Sequence, residues 1–297
     1  MYNLLQVFVL KSSAIVMEAL PFILLGSLVS SLIHIYVSEE TVVKSVPKGV
    51  FRQIVSGIFL ALFIPSCECG IVPIVRRLNA KGVPAPMSAA YMVASPVINP
   101  VVMVATYAGF KGNAEMTLMR ILISILAAFA IGFLFSRVKE PFYAVKEETH
   151  AHGCSCGCHS GKGGFVNIIN HARDDFVQTL VYLIIGAFFA GAFHVLMPES
   201  IMNSISGHGA AAIAIMMVFA VLLSVCSEAD SFVAASFVRF SPASMLAFVN
   251  FGPIFDLKLV FMYRAVMSNR TMTKMVLTAA AVVYIACLLL DIAGFGV

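Results

Sequence analysis

Charge is what this sequence has least of. Of its 297 residues, 19 are Lys or Arg and 15 are Asp or Glu, while 60% are hydrophobic; a soluble domain carries about 25% charged and about 45–50% apolar residues. That deficit excludes a soluble globular enzyme and leaves no room for a sizeable soluble domain. The net charge of +4 is scattered, which suits orientation by loop charge and gives no footing for nucleic acid. Catalytic signatures are missing too. There is no GxxxxGK[ST] loop, so no ATP hydrolysis by that route, and no HExxH or GxSxG string for a metalloprotease or a serine hydrolase. The 16 methionines form no cluster of the copper-pathway kind and read as adaptable packing. No cofactor is expected. No cleavable signal peptide is needed, because the first apolar segment runs on through Ile35.

What is present is hydrophobic length, enough at about 20 residues per crossing for roughly six to nine spans. Apolar runs fall near 13–36, 50–64, 84–110, 117–136, 176–197, 210–226, 242–267 and 275–296. One stretch differs. From Arg137 to Arg173 the chain is polar and contains HAHGCSCGCHSGKGG. It divides the molecule into a first transmembrane repeat (1–138), a Cys- and His-rich connection (139–173) and a second transmembrane repeat (174–297).

The two halves match in their unusual residues, the mark of a duplicated transporter scaffold. The segment Glu18 to Gly26 lies over Gln178 to Gly186, and Glu68 and Glu228 each follow that glycine by 42 residues. A proline break then comes 28 residues later in the first half, Ser95-Pro96-Val97-Ile98-Asn99-Pro100, and 25 later in the second, Gly252-Pro253-Ile254-Phe255-Asp256. Each half also has an apolar run too short to span. Residues 50–64 make about 22 Å of helix against about 30 Å of hydrocarbon, then stop at Pro65-Ser66-Cys67-Glu68-Cys69-Gly70 before the short run 71–75. Residues 210–226 and 231–238 do the same around Ser227-Glu228-Ala229-Asp230.

Loop charge chooses between a broken crossing and a re-entrant hairpin. Full crossings divide the basic residues ten to eight, whereas two hairpins put fourteen on one face and leave four on the other: Lys11, Lys111, Arg120 and Arg239, with Lys258 intramembrane. The positive-inside rule favours hairpins. Three crossings plus a hairpin per half is an odd count, so the fold class expected is an all-α polytopic membrane protein of two inverted repeats. Parallel repeats are the alternative. In the inverted arrangement, broken or re-entrant helices meet near the midplane, and the central connection is cytoplasmic in either case.

A charge within the hydrocarbon costs about 2.5–3.5 kcal/mol or more, so Glu68, Glu228, Asp230 and Asp256 must be protonated, paired or facing a wet cavity. Glu68 and Glu228, with Asp230, are the candidates for proton coupling. Ser95, Asn99 and Asp256 occupy the breaks and are candidates for orienting substrate. The bland alternative is that such groups bond backbone amides freed by the breaks. Cys67 and Cys69 flank Glu68 in an irregular stretch where both sulfurs can face one soft ligand, and Cys226 is placed to add a third; alternatively these are small apolar core residues, as Cys287 is. His150, His152, Cys154, Cys156, Cys158 and His159 crowd ten residues of the connection, a density that suits metal or metalloid capture, or else a Gly-rich linker. Pro65, Gly70, Pro96, Pro100, Gly252 and Pro253 are the helix-break residues. Unwound backbone at that depth must be buried in protein or line a cavity.

The strings FIPSCECGIVPIVRRL, MSAAYMVASPVINPVVM, SVCSEADSFVAASF and FVNFGPIFDLKLV resemble the bacterial permease family that includes the organoarsenical efflux permease ArsP, over nearly the whole chain. The resemblance implies a multi-pass permease of the bacterial inner membrane, in a family with members implicated in methylarsenite or soft-metal export. The chain is also similar to a branch whose members pair with a second membrane-linked subunit; a homo-oligomer is the other expected assembly.

The function expected is therefore a secondary, proton-coupled exporter of a small soft or thiophilic solute, an arsenical or a metal ion. Two other readings stand beside it. One is an intramembrane thiol-disulfide oxidoreductase using Cys67 and Cys69; the other is a channel-like subunit of a two-component permease complex.

Overall fold

The computed structural model describes residues 2–36, 46–64, 66–138, 142, 165–196, 209–237, 239–264 and 266–295. Among them there are twelve α-helices and no strand, six helices on each side of the connection. In the first half these are α1 (Tyr2–Tyr36), α2 (Val50–Phe63), α3 (Ile71–Ala80), α4 (Ala85–Ala94), α5 (Pro100–Gly109) and α6 (Ala114–Arg137). The second half repeats the order: α7 (Phe165–Leu196), α8 (Ala210–Leu223), α9 (Asp230–Ser236), α10 (Pro242–Phe251), α11 (Leu257–Arg264) and α12 (Asn269–Ile292). Helix α7 starts at Phe165, so part of the connection expected up to residue 173 is helix.

Among the described residues three helices are long and apolar enough to cross a membrane: Phe8–Leu32 within α1, α6 and α12. The shorter apolar ones come from the breaks anticipated in the sequence. α2 and α8 have 14 residues each, about 21 Å at 1.5 Å per residue. α4 and α5 divide at residues 95–99, and α10 and α11 at 252–256. Pro100 begins α5 behind an Asn99 cap and Pro242 begins α10 behind Ser241, positions where a missing N–H costs nothing. Between α5 and α6 the chain reverses through Lys111 and Gly112, both at positive φ, into an Asn113 cap that accepts from Glu115 N and Met116 N.

Burial explains the layering. Nearly every residue of α4 and α10 is buried, and these small-residue half-helices pack between α2 and α6 in the first half and between α8 and α12 in the second. The outer helices carry the lipid-compatible surface: Phe51, Val55 and Phe59 on α2, and Leu118, Leu122 and Leu126 on α6, are exposed. Helices α6 and α12 pack across the halves, as do α1 and α7. The latter two run antiparallel. Ser30, late in α1, donates to Asp175 Oδ2 near the start of α7 at 2.7 Å, and the Phe8 ring near the start of α1 lies 5.0 Å from that of Phe188 near the end of α7.

Candidate functional site

Each break is stabilised by groups that replace lost helical hydrogen bonds. At the first (64–70), Tyr91 OH donates to Ile64 O at 3.2 Å, Ser95 Oγ lies 2.9 Å from Ser66 Oγ, and Ser66 N donates to Ser95 Oγ at 3.3 Å. At the second (224–229), Ser224 adopts φ 47 and its hydroxyl accepts from Leu257 N at 3.1 Å. Glycine matters where backbones touch. A Cβ on Gly26 of α1 would meet Gly70 O at 2.7 Å, and one on Gly186 of α7 would meet Lys258 Cα at 2.6 Å. The matched glycines found in the sequence let the long helices lie directly on the first break and on the start of α11.

The two breaks touch. Ser227 Oγ of the second donates to Glu68 Oε2 of the first at 2.9 Å and lies 3.5 Å from Glu228 Oε2. One hydroxyl thus stands between the repeat-matched glutamates. Glu68 is fully buried, and its Oε1 accepts from Lys258 Nζ at 2.9 Å. The same ammonium donates to Ser224 O at 3.1 Å and to Cys226 Sγ at 3.7 Å. Asp256 Oδ2 is 3.3 Å away, within ion-pairing distance, yet this oxygen makes no hydrogen bond. Glu228 is half-buried, and its Oε1, though buried, is also without a partner.

A second buried ion pair lies alongside. Arg120 of α6 grips Asp230 bidentately, Nη1 to Oδ1 at 2.9 Å and Nη2 to Oδ2 at 2.6 Å, and Nη1 also reaches Ser231 Oγ and Thr106 Oγ1. The guanidinium Nε of Arg120 is buried without a partner, so this network is satisfied at its two terminal nitrogens and not throughout. Here the loop-charge count needs correcting: Arg120, expected at a membrane face, is 1% exposed. It lies six residues into a helix that begins in a tight turn, deep enough to reach the neighbouring break.

The other expected site residues fall as follows. Cys67, Cys69 and Cys226 are free and buried, and Cys226 touches the lysine. Asn99 Oδ1 accepts from Val101 N at 2.9 Å and Asp256 Oδ1 from Leu259 N at 2.8 Å, so the matched residues both cap a half-helix. The Ser95 hydroxyl is engaged with the first break. Pro96 and Pro253 lie in the turns between half-helices, with Gly252 closing α10, and Gly70 precedes α3. Pro65 and the cluster His150, His152, Cys154, Cys156, Cys158 and His159 lie outside the described residues. Among the described residues no three His, Cys, Asp or Glu side chains gather in a metal-holding group. Sequence reasoning missed Lys258 and Arg120 as site residues; a cation inside an apolar run is the signal that marks both.

A small cleft opens between α3, α7 and α11, lined by residues that include Val72, Pro73, Arg76, Asp175 and Met262. Arg77 of α3 pairs with Asp175 at 3.0 Å beside it. Of the cleft's lining residues, Val72 lies two residues beyond Gly70 and Met262 about one helical turn beyond Lys258.

The chain is similar to a Streptococcus mutans protein named as a two-component membrane permease complex subunit, at 35% identity across 94% of this chain and 93% of the other. It is also similar to the UPF0718 protein YcgR of Bacillus subtilis, at 36% identity over 86% of this chain and 87% of that one. No solved structure matches it. The ArsP_1 family, described as predicted permease, matches residues 4–292. The chain therefore belongs to the ArsP_1 permease family.

Proposed function

We propose that this permease is a secondary, proton-coupled exporter of a small soft or thiophilic solute, and that the junction of the two breaks is its transport site. The observation that carries the reading is Ser227 Oγ set between Glu68 and Glu228, at 2.9 and 3.5 Å. Acids are retained at such depth when they serve a pathway. Glu228, whose Oε1 has no partner, is the acid that takes up and releases the proton and Glu68 shares the coupling with it; Asp230, expected to join them, is held by Arg120 and supports the second break. Cys67, Cys69 and Cys226 are the sulfurs that would take a trivalent arsenical or a soft metal ion as cargo, and they must draw together to do so, since they form no metal-holding group in this state. Asn99, Ser95 and Asp256 hold the breaks that present them.

The repeats are inverted in this reading, supported by the antiparallel packing of the matched helices α1 and α7. Ser30, Pro73, Arg77 and Asp175 share one hydrogen-bonded group, so the ends of α1 and α3 lie beside the start of α7. That favours a re-entrant α2–α3 hairpin over a crossing. The α3–α7–α11 cleft is then the cytoplasmic vestibule, on the side of the Cys- and His-rich connection, which delivers soft cargo in the inner membrane of a bacterium.

Vesicles carrying the reconstituted protein and a pH-sensitive dye test this, with arsenite and methylarsenite as probes. E68Q and E228Q are expected to abolish solute-linked proton movement while the protein still inserts; unchanged proton movement would remove coupling through these acids. The double variant C67S/C69S is expected to lose protection of cells against the same probes and soft metals. Full protection would dismiss the thiol site and leave the permease standing. The name of the Streptococcus relative favours one further reading, in which the chain works as a subunit beside a second membrane-linked protein; co-purification from native membranes tests it.

A further inference from the structure

We infer that Asp256 is the relief counter-ion of Lys258, so that the Glu68–Lys258 tie between the halves is releasable, whereas the Arg120–Asp230 tie is permanent. The inference rests on the permease reading for its purpose and on the geometry alone for its form.

The two ties are crossed. Glu68 in the first half is held by a cation of the second, and Asp230 in the second by a cation of the first. Their construction differs. Arg120 meets its carboxylate with a planar fork, and Thr106 and Ser231 share the same guanidinium; its Nε is buried without a partner, so the tie is held by the two-point geometry, which leaves little freedom. Among the described residues Asp230 is the carboxylate paired with Arg120, so separation strands both charges. Lys258 instead lies between two carboxylates. Glu68 Oε1 holds it at 2.9 Å, and Asp256 Oδ2, at 3.3 Å, is buried with no hydrogen bond of its own.

The charge on Asp256 is not needed for its capping role. The matched cap on α5 is Asn99, which does the same work without charge, and Asn and Asp cap equally well. The carboxylate thus has a second task, and the ammonium two residues along the same segment is the group within its reach. When Glu68 withdraws, Lys258 keeps Asp256 and Ser224 O and stays compensated. The trio Glu68, Asp256 and Lys258 carries a net charge of −1 when all are ionised. One proton, or one cationic group of the cargo, placed on Glu68 brings it to zero and cancels the pull on the ammonium. Lys258 keeps all its protons throughout. Among the described residues the other ionisable groups around Glu68 are carboxylic acids, thiols and a phenol: Glu18 from α1, Cys67 and Cys69 of its own break, Cys226 and Glu228 from the second break, Asp230, already held by Arg120, and Tyr263 from α11. Among the described residues the other cation beside this cluster is Arg120, which Asp230 holds.

Backbone amide exchange read by mass spectrometry on the full chain in lipid nanodiscs tests this without knowledge of the cargo. In the wild type, residues 66–70 are expected to exchange faster than residues 226–230. E68Q, which mimics the neutral acid, is expected to speed exchange at 66–70 roughly ten-fold. D256N, which keeps the cap and removes the relief charge, is expected to leave exchange at 66–70 at or below the wild-type rate. Equal loosening by E68Q and D256N would mark an ordinary structural ion-pair network and overturn the inference, as would slower exchange at 66–70 than at 226–230 in the wild type. Loss of arsenite-linked proton movement in E68Q together with equal loosening would leave the permease reading standing. Opposite responses of the two variants without any such proton movement would do the reverse.

Discussion

The two repeats share six helices in the same order and divide their charges differently. The first break sets one acid between two thiols; the second sets two acids after one thiol. The first proline break ends in Asn99 and the second in Asp256, two residues before a buried lysine. Scaffold features, the caps, the prolines and the glycines that admit a neighbouring backbone, are duplicated. Of the charged features Glu68 and Glu228 match between the halves and the rest do not, and where one half lacks a partner the other supplies it. Function in a duplicated membrane fold is thus to be sought in the differences between halves.

The largest expected effect separates the two ion pairs. Either R120M or D230N leaves a buried charged or polar partner unmatched and is expected to lower stability by about 3–5 kcal/mol, measured as unfolding in detergent. The double variant R120M/D230L recovers much of that loss, because an apolar pair strands nothing. K258M belongs to the same class, since it strands Glu68 and Asp256 together. E68Q is milder, about 1–3 kcal/mol, because Lys258 keeps Asp256; equal losses in E68Q and D230N would erase the distinction between the ties. G26A and G186A come next, at about 1–3 kcal/mol each, since a Cβ would meet backbone at 2.7 and 2.6 Å. Melting temperatures matching the wild type would mean the long helices do not rest on the breaks. Smallest is Y91F, expected to cost about 1 kcal/mol through loss of the hydroxyl bond to Ile64 O, measured as unfolding in detergent.

Much of the scaffold is legible in the sequence because it is written in local signals. Pro96, Pro100 and Pro253 interrupt apolar runs, and the even spacing from Gly26 to Glu68 and Gly186 to Glu228 exposes the duplication. The site is legible only in part. Glu68, Glu228 and the thiols stand out as polar residues in lipid, but their partners come from far along the chain. Arg120 lies near the start of an apolar run, where periodicity gives it no partner, and Asp230 is 110 residues away. Lys258 is visible as a cation in a helix, yet nothing local says that it faces Glu68 and not Asp256 alone. Asn99 and Asp256 read as ligands from composition, and the fold engages each in a cap, which short polar side chains at helix starts do by default.

The central claim, that the junction lies on a permeation path, is tested most directly by the reactivity of Cys226. A small membrane-impermeant thiosulfonate is added to right-side-out and to inverted vesicles, and modification of that residue is followed by mass spectrometry. The account predicts modification from both faces, slowed when arsenite or methylarsenite occupies the site. A Cys226 that reacts from neither face, with the protein folded and inserted, would contradict it.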